Sequence, residues 1–308
     1  MTENKPKVCA VILNLAGLAV MEDCLRSMAR AVYPALELIV VHNGPADAAL
    51  ERGVRSLTAK VSEVIFTGAN IGFAAGNNLG IKAALARGAD YVLLLNDDTV
   101  VDPDFISPLV DEAAKDESIG MTGPRIYYAA EPGKIWFSGA KLDRAACAFV
   151  FPGADQEEAA SGLGAAQETD YVTGCAALVR RELLSRVGPL DESFFLYWED
   201  SDWGLRAAAA GFRSLVVPSS RIWHKVSLSS GGTDSALKLF HKTRGRLLFS
   251  RRHCGCCLIS LLLELLRDAA WLAFKSGAGD GKKRAASLLA GAASYFCGGR
   301  GPGPAWLR

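Results

Sequence analysis

The chain has 308 residues and is 50% hydrophobic, which is enough for one large α/β domain with a substantial core and a further appendage. Its 34 lysines and arginines nearly balance its 33 acidic residues, and the net charge of +1 argues against a nucleic-acid-binding protein that works through a basic face. The eight cysteines lack the paired CxxC spacing of zinc sites, and the N-terminus has too short an apolar run for a signal peptide, so we expect reduced thiols in a cytoplasmic protein.

Short apolar runs alternate with helical patterns in the first hundred residues. The apolar runs end in polar residues or glycine and predict strands buried on both faces, at 8–14, 36–43, 62–68 and 91–96. Between them, apolar residues recur at steps of three and four, which predicts helices over 18–31, 46–60 and 77–88. This alternation predicts a Rossmann-like α/β fold, in which a mainly parallel sheet is flanked by helices and ligands bind at the carboxyl ends of the strands.

An amide and two carboxylates follow the fourth predicted strand, at Asn96, Asp97 and Asp98. Adjacent carboxylates repel one another and are costly to desolvate, so a compensating cation is expected beside them. A hard divalent cation that keeps substrate phosphates as further ligands would serve. The alternative is that Asp98 and Thr99 cap the next turn, and the residue pattern alone leaves both interpretations open.

A second informative stretch is FFLYWEDSDWGLRAAAAGF, at 194–212. Asp200 stands at the start of a predicted helix among aromatic residues, which is typical of a shielded general base. The alternative is a helix cap at Asp200, with Asp202 in the first turn. His224 follows a further predicted strand, and a lone histidine is more often structural than a metal ligand.

Three stretches, taken in order, resemble the inverting family 2 glycosyltransferases, specifically the bacterial rhamnosyltransferase-like group with the GT-A fold. They are 70–105, 170–213 and 222–225, within a resemblance that covers 8–253. The resemblance implies a metal-dependent enzyme that moves a sugar, with rhamnose as one candidate, from a dTDP- or UDP-sugar donor. The implied acceptor is a saccharide or a lipid-linked molecule in cell-surface polysaccharide synthesis.

The resemblance also implies roles for individual residues. Asp200 matches the general base, while Asp98 and His224 match the groups that hold Mg²⁺ or Mn²⁺ with the donor diphosphate. The Gly174 turn is expected against the donor sugar and the acceptor. The other residues expected to bind the donor are Asn14, His42, Asn43, Asn70, Gly72, Asn77, Asn96, Asp97, Glu199 and Arg244, and Arg246 is a further candidate for a phosphate contact.

Three positions depart from the family pattern. His42 stands where an aspartate usually reads the pyrimidine, Ala16 where a second asparagine is frequent, and Gly245 where a polar amide is common. A neutral imidazole nitrogen can still accept a hydrogen bond from the base, so we expect His42 to take over the contact.

Two other functions compete with sugar transfer. A nucleotidyltransferase would need a phosphate loop rich in glycine and lysine after the first strand, and LNLAGLAV has no basic residue. A catalytically silent module that binds nucleotide sugars is conceivable because of His42 and Ala16. The presence of Asp98, Asp200 and His224 together favours the enzyme.

The C-terminal part is predicted to be separate from the glycosyltransferase domain, with a division into 1–250 and 251–308. Residues 254–275 are strongly apolar but are interrupted by Glu264, Arg267 and Asp268, which predicts an amphipathic helix and disfavours a membrane-spanning one. This helix either packs on the sheet domain or lies peripherally on the inner face of the cytoplasmic membrane. The glycine- and proline-rich end, 297–308, is predicted to be disordered.

Overall fold

The computed structural model describes residues 5–162, 164–225, 235–255, 258–275 and 280–307. Its strands are Val8–Asn14 (β1), Leu36–His42 (β2), Val61–Phe66 (β3), Tyr91–Asn96 (β4), Thr99–Val101 (β5), Ile119–Tyr128 (β6), Ile135–Phe137 (β7), Lys141–Asp143 (β8), Ala148–Val150 (β9), Gln167–Thr169 (β10), Ala176–Arg180 (β11) and Arg213–His224 (β12). Its helices are Leu18–Ala29 (α1), Ala48–Leu57 (α2), Phe73–Ala86 (α3), Ile106–Ala114 (α4), Glu158–Ser161 (α5), Arg181–Val187 (α6), Glu199–Ala209 (α7), Ala236–His253 (α8), Leu258–Lys275 (α9) and Asp280–Phe296 (α10).

A mixed sheet forms the centre of the described structure, with the strand order β10-β12-β6-β11-β4-β1-β2-β3. Strands β3, β2, β1 and β4 are parallel, as predicted, and β11 is antiparallel to β4. Strand β12 lies parallel to β6 and also pairs with the short β5 that follows β4. The carboxyl ends of β1, β2 and β4 therefore meet at one edge of the sheet, close to the end of β12.

The predicted strands and helices of the first hundred residues are present, with ends shifted by a few residues. One detail of the prediction is wrong, because the side chains of β3 are mostly only half-buried. Strand β3 is the last strand on its side of the sheet and pairs only with β2. An edge strand has one neighbour to pack against, so its apolar run does not indicate burial on both faces.

The core lies on both faces of the sheet because successive side chains of a strand point to opposite sides. On β1, Ala10 and Ile12 belong to one buried cluster, and Cys9 and Val11 belong to the other. A fully buried aliphatic side chain stabilises the fold by about 1.5–3 kcal/mol. The two clusters thus hold the strand ends as a rigid platform for the polar residues that follow them.

The C-terminal helices pack against the sheet domain. Helix α8 crosses the predicted boundary at residue 250, and Leu261 and Leu265 of α9 share a buried cluster with Phe194 and Leu205. The two-domain division stays a prediction. In the described ranges, no helix combines the length and hydropathy needed to cross a membrane. Within the predicted amphipathic segment, residues 256 and 257 lie outside the described residues.

The end of the chain is ordered, so the prediction of disorder after residue 296 is wrong for the described residues. A short 3₁₀ helix spans Ala305–Leu307, and Leu307 is buried against Phe240 of α8. Arg244 donates from Nη1 to the Gly301 carbonyl at 2.7 Å. The glycines and prolines suggested a solvated tail, but one apolar anchor and one buried guanidinium fix it on α8.

A disulfide joins Cys147 to Cys254, across 107 residues of sequence. The expectation that all thiols are reduced is therefore wrong for this pair. The bond connects the β8–β9 hairpin to the residue after α8, where Phe149 packs on Phe249 with ring centroids 5.6 Å apart. Tertiary packing, which the sequence spacing does not reveal, brings the two cysteines together.

Candidate active site

The polar residues that end β1 and β2 form a hydrogen-bonded chain with Asp97. Asn14 donates from Nδ2 to Asp97 Oδ2 at 2.7 Å, and its Oδ1 lies 2.8 Å from His42 Nδ1. Since the Asn14 oxygen can only accept, His42 carries its proton on Nδ1 and leaves Nε2 as an acceptor. Burial lowers the pKa of His42 and favours this neutral form. The structure brings these three residues together at the carboxyl ends of β1, β2 and β4, and their predicted contacts with the donor stay a prediction.

Asp97 is buried at the turn after β4. Burial raises its pKa to about 6, and the hydrogen bond from Asn14 opposes the shift only in part. Asn96 precedes it on β4, and its amide N–H donates to the Cys175 carbonyl at 2.8 Å. The end of β4 is thus tied to the residue that precedes β11.

Asp98 and His224 lie side by side because β5 pairs with β12 and opposes Thr99 to His224. His224 Nε2 is 3.0 Å from Asp98 Oδ1, but the two groups do not meet at a hydrogen-bonding angle. Burial lowers the pKa of His224, yet Cys175 and Asp98 outweigh burial and raise it. Asp98 Oδ1 caps no turn, while the Thr99 hydroxyl donates to the Asn96 carbonyl within the turn at 2.8 Å.

Two buried atoms of this pair are left without a hydrogen-bond partner, namely Asp98 Oδ1 and His224 Nδ1. Such orphaned polar atoms are rare and need a reason. A carboxylate oxygen suits a divalent cation directly, and His224 can join it as a ligand only after it loses its proton. Among the described residues, no group of three or more His, Cys, Asp or Glu side chains is arranged to hold a metal ion. The pair therefore fits a metal only if the ligand supplies further oxygens, as a diphosphate does.

Asn43 clamps the loop before α3. Its Nδ2 donates to Asn70 Oδ1 at 3.1 Å and to the Gly72 carbonyl at 3.0 Å, while its Oδ1 accepts from Ile71 N at 2.9 Å. Asn77 is buried within α3 and donates to a main-chain carbonyl one turn earlier. These amides are engaged in shaping the loop, and their predicted donor contacts stay a prediction.

Position 72 requires a glycine, both for its backbone conformation and because a side chain would not fit. Its φ of +97° belongs to a region that favours glycine, and a Cβ there would lie 2.7 Å from the Phe195 carbonyl oxygen. That carbonyl accepts from Phe73 N at 2.7 Å. The loop is thereby fastened to the segment that leads into α7.

Asp200 is held by main-chain and side-chain donors at the start of α7. Its Oδ2 accepts from Gly174 N at 3.0 Å, and its Oδ1 accepts from the amide and the hydroxyl of Ser201. Burial outweighs these hydrogen bonds and raises the pKa of Asp200. The sequence could not decide between a helix dipole that lowers this pKa and surroundings that raise it. The side chain remains half-buried and can be reached from solvent.

Glu199 is buried immediately before Asp200, and its Oε2 has no hydrogen-bond partner. Burial, and secondly the Asp200 charge, raise the pKa of Glu199 well above its ordinary value. A neutral Glu199 leaves the negative charge of the pair on Asp200. This separation of two neighbouring carboxyl groups is the arrangement expected when one of them acts as a base.

The turn that precedes α7 has a strained backbone. Tyr197 and Trp198 have φ values of 69° and 77°, in the left-handed region that costs about 1–2 kcal/mol per non-glycine residue. Helix α8 clamps this turn, because Trp198 donates from Nε1 to the Lys242 carbonyl at 3.1 Å. A Cβ on Gly245 would lie 2.7 Å from Trp198 Cδ1, which explains why a glycine stands at this position.

A continuous set of contacts joins the two acidic groups of the site. Gly174 binds Asp200 through its N–H, and the carbonyl of the next residue, Cys175, accepts from Asn96 N at the end of β4. Asp98 follows Asn96 two residues later and lies beside His224. Sequence reasoning missed Cys175. Its position directly before a buried strand, next to Gly174, was the available signal.

The two arginines proposed for phosphate contacts have protein partners. Arg244 is buried and bound to the Gly301 carbonyl, and Arg246 pairs with Glu264 of α9 through two bonds of 3.0 and 3.1 Å. Their phosphate role stays a prediction. Asp202 is fully buried and binds several cations, including Arg206 at 2.7 Å, so it supports the fold of α7.

A family model described as glycosyltransferase like family 2 matches residues 6–250. The chain belongs to this family. In Mycobacterium tuberculosis H37Rv, the N-acetylglucosaminyl-diphospho-decaprenol L-rhamnosyltransferase is 26% identical over 256 residues, which cover 76% of this family 2 chain and 81% of that protein. Galactofuranosyltransferase GlfT2 of the same strain is 23% identical over 199 residues, which cover 60% of this chain and 31% of that protein.

Solved structures share the fold. The mannosyltransferase PcManGT of Pyrobaculum calidifontis, in complex with GDP-Man and Mn²⁺, has a TM-score of 0.58 at 15% identity and covers 96% of this chain and 88% of its own. GalNAc-T7 with UDP, GalNAc and Mn²⁺ has a TM-score of 0.64 at 14% identity and covers 94% of this chain and 55% of its own. The predicted GT-A fold and glycosyltransferase class are confirmed.

Proposed function

We propose that this family 2 glycosyltransferase is an inverting, metal-dependent enzyme in which Asp200 is the general base. The observation that carries the proposal is the Asp200 carboxylate, which is held by Gly174 N, next to Cys175, whose carbonyl accepts from Asn96 N at the start of the acidic turn. A half-buried carboxylate with a raised pKa, close to the expected diphosphate site at the end of β4, can take a proton from an acceptor hydroxyl.

The donor diphosphate binds at the end of β4. Asp98 and His224 would hold Mg²⁺ or Mn²⁺ there, since each presents a buried atom without a hydrogen-bond partner and a bound cation would displace the imidazole proton. When bound, such a cation supplies charge neutralisation to the departing diphosphate. Mn²⁺ in the PcManGT and GalNAc-T7 structures supports the choice of metal. Asp97 is held by Asn14 and keeps the turn in place.

The donor is a dTDP- or UDP-sugar, and the sugar is rhamnose. His42 Nε2 is the acceptor left for the pyrimidine N–H, because Asn14 occupies Nδ1. The relative from M. tuberculosis that is named an L-rhamnosyltransferase supports the sugar. The diphospho-decaprenol unit in that name supports a lipid-linked acceptor in cell-surface polysaccharide synthesis. The enzyme meets this acceptor peripherally, at the cytoplasmic face of the membrane, through residues 254–275.

The reaction is a single displacement. The acceptor oxygen attacks the anomeric carbon, its proton passes to Asp200, and the bond from that carbon to the diphosphate breaks on the opposite face. The configuration at the anomeric carbon inverts, and no covalent intermediate on the protein is needed. Because Glu199 is neutral, the incoming hydroxyl meets only one negative charge of this pair, the one on Asp200.

Release of nucleoside diphosphate from a panel of dTDP-, UDP- and GDP-sugars tests the proposal. Each donor is incubated with a saccharide or lipid-linked acceptor, with Mg²⁺, Mn²⁺ or a chelator. We expect acceptor-dependent release from a pyrimidine donor that stops in the chelator. Donor binding without any release, in the presence of acceptors that related enzymes use, would instead favour a nucleotide-sugar-binding module.

A further inference from the structure

The C-terminal helices carry apolar side chains that the fold leaves uncovered. One face of α9 is buried through Leu261 and Leu265, while the opposite face exposes 76% of Ile259, 64% of Leu263 and 88% of Phe274. Ile259, Leu263 and Phe274 are separated by steps of about one helical turn or its multiples, so they form one stripe. A soluble helix normally turns mainly charged groups to solvent, whereas the exposed side of this one is mostly apolar and carries the Arg267–Asp268 ion pair beside the stripe.

Helix α10 extends the uncovered area. It begins at Asp280, soon after α9 ends, and it exposes Leu289 and Phe296 along one side. Lys282 and Lys283 are exposed in its first turn. We call these outward faces of α9 and α10 the C-terminal surface. Exposed apolar patches rimmed by polar groups mark interaction sites.

The charges of the chain are segregated, although they nearly cancel in total. Residues 235–308 contain 13 lysines and arginines and three acidic residues, whereas residues 1–234 contain 21 and 30. Arg244 is buried and Arg246 is paired with Glu264, but the net charge of residues 235–308 is still +10, whereas that of residues 1–234 is −9. This charge asymmetry favours binding to an anionic partner and turns the C-terminal part of the protein toward it.

We propose that the C-terminal surface docks on an anionic lipid bilayer. Side chains of the α9 stripe enter the boundary between headgroups and acyl chains, and the basic residues near it face the headgroups. Binding of this kind needs both apolar area and electrostatic attraction, and each basic residue near such a surface contributes roughly a five-fold gain in binding. The proposal deepens the proposed function and rests on it, since a lipid-linked acceptor is met at a membrane.

A second copy of the chain is a less suitable occupant of this surface. A symmetric dimer through α9 and α10 would bring two cationic segments together, and like charges across an interface oppose association. An anionic bilayer meets the same apolar stripe with the opposite charge. Lying on the bilayer also agrees with the finding that no described helix is suited to cross it.

Sedimentation of the full chain with vesicles tests the docking. The vesicles contain either phosphatidylcholine alone or phosphatidylcholine with phosphatidylglycerol, and no donor, metal or acceptor is added. We expect binding to the anionic vesicles that weakens with salt. Lys282→Glu with Lys283→Glu should reduce this binding at least about 20-fold, and Leu263→Glu about 10-fold.

Matched variants on the sheet domain serve as controls. Arg52→Glu with Lys82→Glu makes the same charge change at exposed positions, and Val32→Glu alters a side chain that is 63% exposed. These controls should bind vesicles much more strongly than the α9 and α10 variants. Circular dichroism and thermal unfolding verify that every variant folds, which the exposure of the altered side chains favours.

Three outcomes would overturn the docking proposal. They are equal binding to neutral and anionic vesicles, equal losses in the control variants, and a dimer in sedimentation velocity that Leu263→Glu dissociates while no vesicle binding occurs. Because no sugar is transferred in this assay, its failure would leave transfer to a water-soluble acceptor intact. Failure of the proposed function would in turn leave vesicle binding intact.

Discussion

His42 Nδ1 lies 2.8 Å from Asn14 Oδ1, and this contact decides which imidazole nitrogen is left to read a ligand. Asn14 also donates to Asp97, so its amide cannot turn round without placing two acceptors against each other. His42 stands where the family pattern has an aspartate. While its ring is neutral, His42 Nε2 still offers a hydrogen-bond acceptor to a nucleotide at this edge of the sheet.

The first prediction concerns base recognition by His42. The variant His42→Phe should lower the affinity for UDP about 10-fold, since the hydrogen bond between the base and the imidazole is lost. His42→Asp supplies another acceptor and should retain or tighten UDP binding. Burial lowers the pKa of His42, so wild-type affinity should hold from neutral pH to mildly acidic pH and weaken only when Nε2 gains a proton. Calorimetric titration measures all three effects.

GDP provides the control for this experiment, because only the base differs. The ratio of UDP to GDP affinity isolates base recognition from diphosphate binding. An unchanged ratio in both His42 variants would place this residue outside the base site.

The second prediction concerns the metal. Asp98→Asn removes the charge on the orphaned Oδ1, so Mn²⁺-dependent binding of UDP should weaken at least about 10-fold. Calorimetry with and without a chelator measures the metal-dependent part. Asp104→Asn, at an exposed position, is the matched control and should bind as wild type does. Equal metal dependence in the two variants would contradict a metal site at Asp98.

The third prediction concerns the disulfide. Because the bond closes a loop of more than a hundred residues, its loss should lower the free energy of unfolding by about 2–4 kcal/mol. Urea unfolding of Cys147→Ser measures the loss, and Cys297→Ser, at an exposed free cysteine, is the control. A non-reduced digest should contain the peptides around Cys147 and Cys254 as one linked species. Absence of that species in protein from an oxidising preparation would contradict the bond.

The fourth prediction concerns His241, which is buried on α8 and accepts from Arg244 at 3.2 Å. Burial, and secondly the Arg244 charge, lower its pKa to about 3. The unfolded chain binds this proton below pH 6.5 and the folded chain does not, so stability falls as the pH decreases through that range. From pH 7 to pH 5 the loss through this residue is about 2 kcal/mol.

Urea unfolding of wild type and His241→Gln at both pH values measures this loss. Glutamine does not titrate, so the pH dependence of the variant should be shallower than that of wild type by about the same 2 kcal/mol. Carboxyl groups with raised pKa values contribute to both proteins and cancel in the comparison. Parallel pH profiles would mean that His241 is protonated in the folded protein.

Much of the site could be predicted because parallel strands bring their carboxyl ends to one edge. That rule is sufficient to place Asn14, His42 and Asp97 together from their positions after three apolar runs. It does not reveal what each side chain binds. Asn43 ends the second run like a ligand-binding residue, yet its amide is engaged by the loop at 70–72.

The features that escaped prediction depend on contacts between distant segments. Cys147 meets Cys254 because an aromatic cluster packs the hairpin on α8, and Leu307 fixes a glycine-rich end on Phe240. The strain at Trp198 has no local sequence signal, since aromatic residues rarely adopt that conformation. Such features follow from tertiary packing, which composition and periodicity do not encode.

The last prediction concerns Asp200, on which the mechanism rests. Asp200→Asn keeps the shape of the side chain but cannot take a proton, so transfer should slow by roughly 10²- to 10⁴-fold. Affinity for donor and metal should stay nearly unchanged, because the base acts on the acceptor hydroxyl in the transition state. Initial rates and calorimetric titrations on the same preparation separate the two effects. A pH-rate profile of wild type should show a base whose pKa lies above that of an ordinary aspartate.

Asp202→Asn is the informative comparison because it lies two residues further along the same helix. Asp202 is fully buried and binds Arg206, Arg252 and His253, which outweigh burial and lower its pKa. Its neutralisation should therefore lower the free energy of unfolding by about 1–3 kcal/mol and affect the rate of transfer much less. If Asp200→Asn transferred sugar at close to the wild-type rate, or lost only donor binding, the assignment of the base would be wrong.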